Sequence, residues 1–124
     1  MTADLVPSDG GEGQWPTADD SARLWELIRE QRHDAHPMSI NVSLICPDRL
    51  TADRLAAHFN DDGFTSIEVT DDTEPDESQD RWRVTGSTPV SPLTRERLDR
   101  LHTWIADAGR LFACTAWSLG ARAA

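Results

Sequence analysis

From Thr94 onward, Leu98, Leu101, Ile105 and Ala108 recur at three- and four-residue spacing. That spacing is the mark of a helix with a single apolar face. Ser91-Pro92 reads as its start, because proline is favoured at the first helical position. Gly109 reads as its end. Leu111 to Leu119 then reads as a strand carrying Trp117 near its close. A helix with one apolar stripe must bury that stripe against a second layer. This ending therefore commits the chain to helices stacked on a sheet.

The segments before it supply the remaining elements. Thr17 ahead of Asp19 and Asp20 resembles a capping box, with Ser21, Leu24, Trp25 and Ile28 following at helical spacing. This short first helix runs to about Arg32, before Pro37. Met38, Ile40, Val42 and Leu44 alternate with Ser39, Asn41 and Ser43, which predicts a strand with one apolar and one polar face. Leu50-Thr51 opens the next helix, with Thr51 as cap, Leu55, Ala56 and Phe59 facing inward, and Gly63 as terminator. Phe64–Thr70 and Arg81–Ser87 read as two strands of a hairpin with a long acidic tip.

Two helices alternating with four strands give a βαββαβ order. Right-handed crossovers leave few topologies for it. The expected fold is α+β and ferredoxin-like: a four-stranded antiparallel sheet of order 4-1-3-2, two helices on one face, and an extra N-terminal helix. The expected core is Val42, Leu44, Leu55, Phe59, Val84, Leu98, Leu101 and Ile105. The outer face of the two central strands should be polar, with Ser39, Asn41, Ser43, Arg81 and Arg83. Residues 1–16 are poor in large apolar groups, Trp15 excepted, and are expected to form a disordered tail. Residues 17–122 then form the single domain that 124 residues allow.

Charge narrows the function. With 22 acidic and 12 basic residues, the net charge is −10. Such a surface repels phosphate backbones and attracts basic partners. The outward strand positions also lack the aromatics on which RNA-binding sheets stack bases. Direct nucleic-acid binding is therefore not expected. No apolar run approaches the length of a membrane span, and no signal-peptide pattern opens the chain. A cytoplasmic protein is expected. All basic residues are Arg and tyrosine is absent, a bias that points to a GC-rich bacterial genome.

No motif for catalysis emerges. His33 and His36 flank a proline turn, while His58 and His102 sit beside apolar stripes on separate helices. Each reads as a solvated or boundary residue rather than a ligand, and no metal or cofactor is expected. Cys46 and Cys114 read as small core residues, with a regulatory disulfide as the alternative. The acidic tip, with Asp71, Asp72, Glu74, Asp76, Glu77 and Asp80, reads as a solvated loop or as a docking surface for a basic partner. Five tryptophans are many for this length, and exposed tryptophans anchor protein interfaces. Trp117, near the end of a presumed edge strand, is the chosen anchor.

Over residues 17–119 the chain resembles the regulator of ribonuclease E activity B family. The resemblance rests on the N-terminal helix, the βαββαβ order, the turn Asn60-Asp61-Asp62-Gly63-Phe64, the acidic balance, and Cys114-Thr115-Ala116-Trp117. Family members carry Tyr-Asp-Gly-Trp at that last position, and only the tryptophan is kept here. The resemblance implies a non-enzymatic inhibitor that acts by contact with ribonuclease E or G. A monomer or weak dimer is expected. Two other classes stay open. One is a small-molecule-sensing domain, as in related ferredoxin-like modules that bind amino acids between paired sheets. The other is a small dimeric αβ-barrel-type enzyme using a pocket over the open sheet face.

Overall fold

The computed structural model describes residues 8–11, 15–30, 37–73 and 81–123. Its elements are β1 (Ser8–Gly11), α1 (Ala18–Glu30), β2 (Pro37–Cys46), α2 (Arg49–Asp61), β3 (Thr65–Asp71), β4 (Trp82–Ser87), β5 (Ser91–Pro92), α3 (Arg95–Leu111) and β6 (Ala116–Ala123). The fold is α+β: an open sheet, antiparallel in each of its pairings, with three helices. It is consistent with a ferredoxin-like fold.

The sheet differs from the four-stranded one expected. It has six strands in the order β1-β6-β2-β4-β3, with β5 pairing to β2. The extra strand β1 comes from within the segment expected to be a disordered tail. Ser8 lies opposite Leu119 and Gly11 opposite Ala116. Strand pairing draws on backbone N–H and C=O groups, so a Gly-rich segment with little to bury can still close an edge. Composition does not register that option.

Strand β2 organises the core. Met38, Ile40, Val42, Leu44 and Cys46 share one face and are fully buried. Leu24 and Ile28 of α1, Ala52, Leu55 and Phe59 of α2, and Leu98, Ile105 and Ala108 of α3 join them in one cluster. Helix α2 packs on β2, β3 and β4, α3 packs on β2 and β6, and α1 packs on α3. Leu101, expected inside, is only half-buried against this cluster, and Leu93 is buried in the core.

Local signals set the helix ends, with three corrections. Helix α2 is capped by Asp48, whose carboxylate accepts from Thr51 N–H at 2.7 Å; Thr51 is not the cap. An aspartate at that position reaches the exposed N–H groups better than a residue already inside the turn. Ser91-Pro92 is not the start of α3. It pairs as β5 with Pro37 and Met38, and Thr94 caps the helix by accepting from Arg97 N–H at 3.1 Å. Gly109 lies inside α3, which runs on to Leu111. Its missing side chain has another use, since the Trp15 ring occupies the space a Cβ would fill. Ala113, with φ of 53°, makes the left-handed turn after the helix. Gly63 does take that conformation after α2, with φ of 89°.

Candidate functional site

The acidic tip is only partly described. Asp71 ends β3 and is exposed. It accepts from Thr73 N–H at 3.0 Å. Hydrogen bonds from the Thr73 hydroxyl and N–H hold its carboxyl below the usual range. Asp72 is half-buried and pairs with Arg83 at 3.1 Å. Glu74, Asp76, Glu77 and Asp80 lie outside the described residues. The two acids that are described are therefore engaged locally, one in a turn and one in an ion pair.

Trp117 is not an exposed anchor. It retains 3% of its surface and belongs to the core cluster. Its register opposite Leu44 puts it on the inner face of the sheet, and the His102 ring stands edge-on to it at 5.9 Å. Strand β1 pairs along the other side of β6, with Gly10 opposite Trp117, so β6 is not an edge. The sequence did hold a signal for this. Trp117, Leu119 and Ala121 alternate with Ser118, Gly120 and Arg122, and that period assigns the tryptophan to the apolar side.

With the anchor inside, two surfaces become candidates. The first is the sheet face turned away from the core. Ser39, Asn41 and Ser43 of β2 stand there beside Arg83, Thr85 and Ser87 of β4 and Ser118 of β6. All seven are half-buried. Ser87 donates to the Asn41 side-chain oxygen at 2.7 Å, and Ser39 donates to the Thr88 carbonyl at 2.8 Å. The face thus carries mainly hydroxyl side chains with Asn41 and Arg83 among them, and one hydrogen bond, Ser87 to Asn41, joins two of them directly. Glu68 lies exposed on β3 opposite Thr85.

The second is a cleft of about 240 Å³ lined by Phe64, Thr88, Pro89, Arg97, Arg100, Leu101 and Trp104, with Asp62 and Gly63 at one side. Aromatic packing builds its wall. Phe59, Phe64 and Trp104 meet at centroid distances of 4.7–4.8 Å, and His58 stacks on Trp104 at 5.4 Å. The Trp104 indole N–H donates to the Asp62 carboxylate. Arg97 is the unusual group. Its guanidinium donates to the carbonyls of Met38, Ser91 and Pro89 and to the Thr88 hydroxyl, all neutral acceptors. Arg23, Arg29, Arg49, Arg83, Arg95, Arg100 and Arg110 each pair with a carboxylate. Partial burial pushes the pKa of Arg97 down from its ordinary value. Sequence reasoning missed this residue, because an arginine on a helix reads as solvated until the turn that wraps it is known.

Elsewhere among the described residues, the buried polar side chains are Ser21 and His102. His102 Nδ1 lies 2.9 Å from Ser21 Oγ and 3.0 Å from the Leu98 carbonyl oxygen, and its Nε2 is buried with no hydrogen-bond partner among the described residues. Ser21 is itself 1% exposed, and with His102 it lines a small cavity of about 120 Å³ bounded by Pro16, Thr17, Asp99 and Thr103. His58 sits 3.6 Å from Asp62 at the back of the aromatic wall. His33 and His36 lie outside the described residues. Among the described residues, no three His, Cys, Asp or Glu side chains gather as metal ligands. No described helix is long and apolar enough to cross a membrane.

No protein-family model, no curated protein and no solved structure matches this chain.

Proposed function

We propose that the protein is a non-enzymatic regulatory module that acts by binding a protein partner with a basic surface. The observation that carries this reading is the polar outer face of β2, β4 and β6. The described helices pack on the opposite face, which leaves polar side chains from three adjacent strands, a span suited to another macromolecule rather than to a small substrate. The net charge of −10 steers cationic surfaces toward it and phosphate backbones away. A ribonuclease of the E or G type is the partner class implied by the resemblance in the turn 60–64 and the βαββαβ order. The docking surface is placed on Asn41, Ser43 and Thr85, with Asp71 and Asp72 at its border; Trp117 has no part in it.

Binding kinetics on purified ribonuclease E test this directly. The wild-type protein should associate faster at low salt. Ser43→Arg combined with Thr85→Arg should weaken binding by about tenfold or more, through bulk and like charge against a basic partner. Absence of binding, or wild-type affinity in that variant, would reject the assignment.

A second reading, a small-molecule sensor, is favoured by one observation: Arg97 carries a partly buried charge with no carboxylate partner among the described residues, beside an aromatic-walled cleft. A ligand with a carboxylate and a flat apolar body would supply the missing charge. Small aryl carboxylates raising Tm, with their amides inert, would support this reading over the first.

A further inference from the structure

We propose that Cys46 and Cys114 form a redox modification site, a dithiol that closes to an intramolecular disulfide within the folded protein. These are the chain's two cysteines, 68 residues apart. Folding brings their sulfurs to 3.7 Å. Two independent core positions would not be expected to meet in this way. Cys46 ends β2, and Cys114 lies between α3 and β6.

The surrounding backbone is already fixed on both sides. Cys114 N–H donates to the Gly109 carbonyl at 2.8 Å, and Thr115 N–H donates to the Ile45 carbonyl at 2.9 Å. The chain segments carrying the two sulfurs are thus tied together before any bond forms. A disulfide needs the sulfurs at about 2.05 Å, so the pair has to close by roughly 1.7 Å, shared between two side-chain rotations. The site lies just below the surface. Both cysteines are buried, but Ala113 and Thr115 on either side of Cys114 are exposed. A small oxidant needs only a local opening of this short connection to reach the pair.

The hydrogen bond between the sulfurs favours the thiolate of whichever cysteine accepts it; with Cys114 as donor, Cys46 is held below the ordinary thiol range, while that bond and burial push Cys114 above it. Either sulfur can be the donor, so the roles of the two cysteines in the following step can exchange. With a hydroperoxide as oxidant, the Cys46 thiolate attacks the peroxide oxygen and the O–O bond breaks. Sulfur is oxidised to the sulfenic acid, and the peroxide is reduced to water or an alcohol. Cys114 then attacks the Cys46 sulfur, the S–OH bond breaks, and its oxygen leaves as water with the Cys114 proton. The net change is two thiols and one peroxide to one disulfide and two molecules of water, or of water and alcohol. A dithiol reductant reverses it by exchange.

The bond would link the end of β2 to the connection that follows α3, closing a long loop through α2, β3, β4 and α3. Long loops restrict the unfolded chain most. The oxidised form should melt higher than the reduced form by on the order of 10 °C.

The test uses the folded, full-length protein treated with a few equivalents of hydrogen peroxide or with diamide. The expected result is a monomer lighter by about 2 Da, with no thiol titrating after denaturation, and full return on dithiothreitol. Tm should rise with the loss of mass. Cys46→Ser and Cys114→Ser should each abolish the mass loss, and because serine is close to isosteric, both should keep the wild-type circular dichroism spectrum. Two free thiols persisting in the folded protein after prolonged diamide would overturn the proposal. So would products heavier by whole oxygens, or disulfide-linked dimers in place of the monomeric product.

Discussion

A Cβ built on Gly86 would stand 2.7 Å from Cδ1 of Phe59 and 3.2 Å from Cβ of Phe64. Gly86 lies on the inner face of β4 opposite Val42, and the Phe59 ring fills the space it leaves. Gly86→Ala should therefore destabilise the fold by about 1–3 kcal/mol through overpacking against a fully buried ring. Urea midpoints with an unchanged m-value would measure it. A neutral result would mean that the ring has room to move.

Trp117→Ala tests the core role of a residue first expected at an interface. Loss of a buried indole should cost about 3–5 kcal/mol. If the variant instead retained wild-type stability and lost only partner binding, the inward placement of the ring would be refuted.

His102 should make stability depend on pH. Burial depresses its pKa from the ordinary value, against the weaker opposing pull of the Leu98 carbonyl, Asp20 and Asp99. Above about pH 6.5 the ring is neutral in both folded and unfolded chains, and its contribution is fully present. As pH falls below 6.5 the unfolded chain takes up the proton first, and stability is lost until the folded-state pKa is passed. Denaturation curves between about pH 7.5 and 5, roughly one pH unit above and one and a half below the unfolded-state pKa, should show this slope, and His102→Gln should flatten it. An equal slope in both proteins would assign the effect to other groups.

Thr94→Ala should cost about 1 kcal/mol, because the Arg97 N–H would lose its side-chain acceptor. Pro92→Ala should leave α3 unchanged, since proline sits in β5 and not in the helix. A fall in helicity on Pro92→Ala would contradict the start of α3 at Arg95.

Much of this architecture is written locally. The alternation from Met38 to Leu44 names the inner face of β2, and the spacing from Leu98 to Ile105 names the inner face of α3. Gly63 marks the end of α2 because a left-handed backbone favours glycine. These signals survive in a single sequence because they depend on neighbours one to four residues away. The outward polar face of the sheet follows from the same alternation. The site was less legible. Asp71 and Asp72 prove to be tied to Thr73 and Arg83, and Arg97 gave no sign that its charge would be wrapped in neutral oxygens.

The sequence by itself determined the three helices and strands β2, β3, β4 and β6, to within a few residues at their ends, and the apolar side of most of them, because backbone sterics and side-chain period act within a few residues; it did not reveal β1 or β5. Only the tertiary structure decided what closes each edge and fills each gap. It added Ser8–Gly11 to the side of β6, laid Trp15 over Gly109, turned Trp117 inward, and brought Cys46 to Cys114. Those outcomes depend on backbone pairing and shape fit between segments as many as a hundred or so residues apart, and no local pattern encodes which distant segment will arrive.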